Sequence, residues 1–160
     1  MPTHNRFFTT PDGKMHPLGL TLVGPVVQIE IHVPLPLAEA IVREGKIVPQ
    51  PIVGYGLIDT GATMVCVHEP VLKQLGLTPI AQVNSGTANG PAKQNVYPAR
   101  IACPEQGWDL SLNGVAGVNL EGQTVLLNPP QPIIALLGRN ILEKALLIYN
   151  GPGGFWSISL

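Results

Sequence analysis

Residues 52–58, Ile-Val-Gly-Tyr-Gly-Leu-Ile, form an apolar run of the length of a buried strand, and it stops at Asp59-Thr60-Gly61-Ala62. A strand that ends this way delivers one carboxylate to the edge of a hydrophobic core. At such an edge, desolvation, neighbouring charges and hydrogen bonds can tune an acid for chemistry. Gly61 lets the backbone approach the carboxylate closely and face it with an N–H group. The chain contains one Asp-Thr-Gly and no internal repeat, so whatever this loop does, a single chain does it with one copy.

The 160 residues suit one domain with one core. Charged residues make up 12%, about half the usual share, while Gly 18 and Pro 17 are well above average, which reads as a turn-rich β protein. A net charge of −1 leaves no footprint for phosphate backbones or anionic lipids, so neither nucleic acid nor a membrane is expected as a partner. Residues 1–14 lack the apolar stretch of a secretion signal, and no uncharged run approaches a membrane span. The expectation is a soluble, cytoplasmic protein. Cys66 and Cys103 are too few for a disulfide framework. A reducing compartment keeps both as small core residues, with a single bridge the alternative.

Residues 1–17 are polar and Pro-bearing and read as an N-terminal arm, poorly ordered or an edge strand able to pair with another subunit; 18–160 form the domain proper. Residues 18–33 alternate and are rich in β-branched side chains, predicting two strands or one bent at Gly24-Pro25. Helix formers at 37–44 precede Gly45, predicting a short helical insertion, and 69–76 carry Pro70 at the start and Gly76 at the end of a second helix. Strands over 80–83 and 96–103 flank a polar tip, 85–91, in which Asn89-Gly90 is the favoured hairpin turn pair. Further short strands are predicted at 108–120, 124–127 and 133–137, then a helical turn at 139–144 and a closing hairpin of 146–149 with 155–160. Trp108, Phe155 and Trp156 read as core or interface anchors, the last two in a sheet between subunits.

Asp59-Thr60-Gly61-Ala62 after an apolar strand, together with Leu136-Leu137-Gly138-Arg139-Asn140 downstream, resembles the two halves of the active site in retropepsin-like (retroviral-type) aspartic proteases, and Val83 with Thr87-Ala88-Asn89-Gly90 resembles the flap of bacterial and retrotransposon members. The resemblance covers residues 52–148. It implies a mainly β fold: a single-lobe retropepsin-like acid-protease barrel with one short C-terminal helix and a flap hairpin. By the same resemblance Asp59, Thr60 and Gly61 are catalytic, with Thr60 hydrogen-bonding across a dimer axis. Ala62, Thr87, Ala88, Asn89 and Gly90 contact substrate, and Leu136, Leu137, Gly138, Arg139 and Asn140 support the site. This chain departs at Thr63, where retroviral members usually carry an Asp that pairs with the arginine, so Arg139 must find another acceptor.

Peptide hydrolysis without a metal needs a base to activate water and an acid to protonate the carbonyl oxygen or the leaving nitrogen. Two carboxylates sharing one proton supply both, because held together they cannot both ionise cheaply. With one motif per chain, the second carboxylate has to come from another copy on a twofold axis. The expectation is a homodimeric endopeptidase that cleaves an extended polypeptide, uses no cofactor or metal, and works best at mild acidity because Ala62 offers the carboxylate no hydroxyl. Val65, Val67, Ile133 and Leu136 are candidates to line apolar subsites. The alternative is a catalytically silent module of the same fold that binds a peptide or a partner protein, or a monomer with an idle carboxylate. Cys66-Val67-His68 has a marginal metal spacing and would need two more ligands. The glycines at 54–56 and 151–154 lack the remainder of a nucleotide fingerprint and read as turns.

Overall fold

The computed structural model describes residues 3–9, 12–16, 18–87 and 90–160. In chain order the elements are β1 (Thr3–Phe7), α1 (Gly19–Val23), β2 (Val26–His32), α2 (Leu35–Arg43), β3 (Ile52–Ile58), β4 (Cys66–His68) and α3 (Glu69–Gln74). They are followed by β5 (Ala81–Thr87), β6 (Gly90–Cys103), β7 (Trp108–Val118), β8 (Thr124–Val125), β9 (Gln131–Leu137), α4 (Arg139–Leu142), β10 (Leu146–Asn150) and β11 (Phe155–Ser159).

Six of these strands close into a barrel in the order β2-β3-β9-β4-β7-β6, with β6 returning to β2 through Glu30↔Ala102, Ile31↔Ile101 and His32↔Arg100. β5 extends β6 as a hairpin and β8 lies against β9. Along β2 the alternation Val27, Ile29, Ile31 turns three β-branched side chains inward, each buried almost completely. They meet Val65 from just before β4, Val67 within it, Leu72 from α3, Tyr97 and Ile101 from β6, and Leu137 from β9 in one cluster. Burial of each such side chain is worth about 1.5–3 kcal/mol. A three-stranded sheet, β1-β11-β10, adds Trp156 and Ile158 to the same cluster.

Two elements differ from the sequence reading. Residues 19–23 are helical, although Leu18, Leu20 and Leu22 alternate as in a strand. Leu20 is buried while Leu18 and Leu22 are exposed, an arrangement that one strand face does not allow. Gly24, at φ +75°, ends the turn with its N–H on the Leu20 carbonyl. The second difference lies at the polar tip of the hairpin, where the ladder continues further than the predicted strands: Ser85 pairs with Ala92, Gly86 with Pro91 and Thr87 with Gly90. Of the expected Asn89-Gly90 turn pair, Gly90 closes this ladder, while Asn89 and its neighbour Ala88 lie outside the described residues.

The N-terminal arm forms a strand, and it pairs with its own chain. β1 runs antiparallel to β11 from Thr3↔Ser159 to Phe7↔Phe155, and the two phenyl rings meet at 5.0 Å. β11 is therefore flanked on both sides, and among the described residues the free edges of this sheet belong to β1 and β10.

Candidate active site

β9 lies between β3 and β4, parallel to the first and antiparallel to the second, so Leu136 stands opposite both Leu57 and Cys66. The connection from β3 to β4, residues 59–65, must therefore cross over the C-terminal end of β9. It is fastened there: the Asp59 N–H donates to the Leu137 carbonyl at 3.1 Å. Asp59 thus sits at the end of a strand held from both sides, half-buried, with the Gly61 N–H donating to its Oδ1 at 2.8 Å.

The segment after β9 ties down the rest of the loop. The first N–H groups of α4 have no partner within the helix. They donate outward instead, Arg139 to the Ala62 carbonyl at 2.9 Å and Asn140 to the Thr63 carbonyl at 3.2 Å. The Asn140 side chain accepts from the Val65 N–H at 2.9 Å. Arg139 finds its acceptors inside the loop: the Thr60 carbonyl at 2.8 Å and the Thr63 hydroxyl at 3.0 Å, with the Gly61 carbonyl at 3.4 Å. Thr63 therefore takes up the guanidinium, as a neutral acceptor, which answers the departure noted in the sequence at this position. Gly138 makes these contacts possible. A Cβ there would lie 2.5 Å from the Met64 carbonyl carbon and 3.0 Å from the Ala62 oxygen, and its φ of −80° is open to any residue, so the requirement is steric.

Asp59, Thr60, Gly61 and Ala62 are thus brought together with Leu136, Leu137, Gly138, Arg139 and Asn140. Ala88 and Asn89 fall outside the described residues, and Thr87 and Gly90 are placed on the hairpin ladder. Val65 and Val67 are corrected from subsite candidates to core: both are fully buried and inaccessible to a ligand, while Ile133 and Leu136 remain half-exposed. The Cys66 thiol is pushed up by burial and by the negative charge of Asp59. Both cysteines are free, and no cluster of three metal-ligating side chains occurs among the described residues.

A family model described as aspartyl protease matches residues 50–141, the stretch that carries the Asp59 loop, the hairpin, β9 and the start of α4. The chain belongs to the aspartyl protease family. Its mainly β single lobe, with one Asp-Thr-Gly loop, bears out the fold expected from the resemblance. Among solved structures, simian foamy virus (mac) protease is similar at 19% identity over 74% of this chain and 92% of that one, with a TM-score of 0.43. A retropepsin-like aspartic protease from Rickettsia conorii is similar at 13% identity over 98% and 90%, with a TM-score of 0.44. No match was found among curated proteins. No helix among the described residues is long and apolar enough to cross a membrane.

One group beside this protease loop gave no sequence signal beyond an acid in the first turn of a helix. Glu69, directly after β4, accepts from Lys73 at 2.8 Å, from Asn95 at 2.8 Å and from the Tyr97 hydroxyl at 2.7 Å. All three favour the ionised form, Lys73 most, and hold Glu69 down at about 2, against an ordinary 4.5. Burial, and then the facing carboxylate, push Tyr97 up to about 12. Since the folded value of Glu69 is the lower one, its contribution is present above pH 4.5 and is lost as pH falls through about 2. Solvent at the Lys73 side screens the pair, leaving about 1 kcal/mol. Between pH 5 and pH 2.5, thermal unfolding should show the parent protein losing more stability than Glu69→Gln, which cannot titrate. Equal losses would contradict this.

Proposed function

We propose that the chain works as a homodimeric aspartic endopeptidase. Two Asp59 carboxylates meet on the twofold axis and share one proton. One acts as base and takes a proton from a bound water while the other protonates the scissile carbonyl oxygen. The former base then delivers the water's proton to the leaving nitrogen as the C–N bond breaks, and a hydroxyl of the tetrahedral diol returns a proton to the other carboxylate. The observation that carries this reading is the Asp59 loop itself. Gly61 occupies one carboxylate oxygen, and Oδ2 accepts no bond from any described residue. The loop is made rigid by β9 and α4, which keeps the acid in one geometry without help from the substrate.

In this reading Thr60 bonds across the axis, and the substrate lies extended between the Asp59 loop and the β5–β6 hairpin acting as a flap, with Ala62, Thr87, Ala88, Asn89 and Gly90 against its backbone. Subunit association uses the β1-β11-β10 sheet. The free edge of β10 carries exposed Leu146, Ile148 and Tyr149, and Phe7 is exposed on β1; both are features that a monomer in water leaves uncovered at some cost. No cofactor takes part, and the optimum lies at mild acidity.

The test is digestion of a peptide library across enzyme concentrations, with and without a pepstatin-type inhibitor, alongside light scattering. Inhibitable cleavage whose specific activity rises as the dimer forms supports the proposal. A dimer that cleaves nothing in the library would favour the silent, peptide-binding alternative.

A further inference from the structure

The Glu69 cluster connects the segment that follows the Asp59 loop to both strands of the β5–β6 hairpin. Glu69 follows β4 without a linker, and β4 begins where the Asp59 loop ends, at Cys66. On the other side, Asn95 and Tyr97 stand two residues apart on β6, on one face of the strand, and both donate to the same Glu69 oxygen, Oε1. Asn95 also accepts from the Gln82 side chain at 3.0 Å, and Gln82 is its cross-strand partner on β5. The chain of contacts therefore runs from β5 through β6 to the first residue of α3. A second path joins the same parts through the backbone: the Ala116 N–H donates to the Val65 carbonyl at 2.9 Å, and Ala116 pairs with both Cys66 and Val96. The approach is close by construction. A Cβ on Gly117 would lie 2.9 Å from both the Glu69 Cγ and the Tyr97 ring, so the bare glycine is what lets the two side chains meet.

We infer that Glu69 is a positioning residue, which fixes the root of the β5–β6 hairpin relative to the Asp59 loop and so sets how tightly an extended substrate is held between them. The carboxylate does not touch the reacting atoms. Its part is to hold the base of a hairpin whose outer strand, β5, pairs only with β6 among the described residues. Lys73 completes the charge of Glu69 on the solvent side, through Oε2 rather than the Oε1 that takes the hairpin donors. The kinetic part of this inference rests on the peptidase reading; the mechanical part does not.

The test compares Glu69→Ala, Glu69→Gln, Tyr97→Phe and Lys73→Ala by amide hydrogen exchange on the unliganded protein and by peptide kinetics. Glu69→Ala should speed exchange at residues 82–87 and 90–95 by about tenfold relative to β9, a local opening rather than a global one. It should raise KM about tenfold while kcat stays within about twofold. Glu69→Gln keeps an acceptor for both donors and should restore most of the protection, and Lys73→Ala should resemble the parent. Tyr97→Phe should give a smaller effect that does not add to that of Glu69→Ala, because both remove one network. If Glu69→Ala fails to fold, Tyr97→Phe carries the same local readout. Exchange that rises uniformly over the whole chain, or a hairpin that exchanges as in the parent, would overturn the inference whether or not the protein cleaves peptides.

Discussion

Asp59→Asn is expected to lower peptide cleavage by about 10⁴-fold, because in a symmetric dimer one substitution removes the base and the acid together. The fold should not notice. Asn has nearly the shape of Asp, and its side-chain oxygen can still accept from the Gly61 N–H that now reaches Oδ1 at 2.8 Å. The Asp59 backbone N–H keeps its bond to the Leu137 carbonyl. Unfolding free energy should therefore stay within about 1 kcal/mol of the parent, and the proposed dimer should persist. The check is paired: turnover of a cleavable peptide, and a denaturant titration of both proteins. A variant that still cleaves at the parent's rate would place the chemistry elsewhere.

Gly138→Ala is expected to do the reverse and damage the fold and the site at once. The new methyl group meets the Met64 and Ala62 carbonyls, which are backbone, so no side chain can swing away to make room. Either the loop or the start of α4 has to move. Moving them breaks the bonds from Arg139 to the Ala62 carbonyl and from Asn140 to the Thr63 carbonyl, and pulls on Arg139 where it spans Thr60 and Thr63. The cost should be about 3 kcal/mol, lowering the melting temperature by about 6–12 °C. A shift of the loop by about 1 Å would lower activity by about 10²-fold even at temperatures where the protein stays folded. Calorimetry together with activity measured well below the melting transition tests this. An unchanged melting temperature would mean that the close approach at Gly138 is relaxed in solution.

The contrast between these two positions explains what was legible in the sequence. Asp59 and Gly138 stand in short strings because each position admits almost one residue type, the first for its charge and the second for lack of room. Asn140 and Arg139 were legible for the same reason, and what the sequence left open, the acceptor of Arg139, was answered only once the Thr63 hydroxyl and the Thr60 carbonyl were seen beside the guanidinium. The helix at 19–23 was hidden because leucines at every second position suit a strand, and the choice was made by Leu20 packing into the core while Leu18 and Leu22 face water. Val65 and Val67 were misjudged because an apolar residue near an active-site loop serves a core or a subsite equally well, and the pattern alone does not separate them. Asn95 and Tyr97 lie 26 and 28 residues beyond Glu69 in the chain, and the three form a network only when α3 and β6 are both in place.

The pairing of β1 with β11 belongs to the same class. Nothing in Thr3–Phe7 announces whether the strand joins its own chain or another, and the answer depends on the edge that β11 offers. For the proposed dimer it means that the exposed Leu146, Ile148 and Tyr149 of β10 stand on a strand paired only with β11 among the described residues.

Mixing parent and Asp59→Asn subunits in varying proportion, with total protein held above the dissociation constant of the dimer, and measuring peptide cleavage tests the pairing of the two acids most directly. If the acids act as a pair, activity follows the square of the parent fraction, falling to about a quarter in an equal mixture of freely exchanging subunits. Activity that falls in simple proportion to the parent fraction would show that each subunit works with its own carboxylate, and the shared proton would have no place in the mechanism.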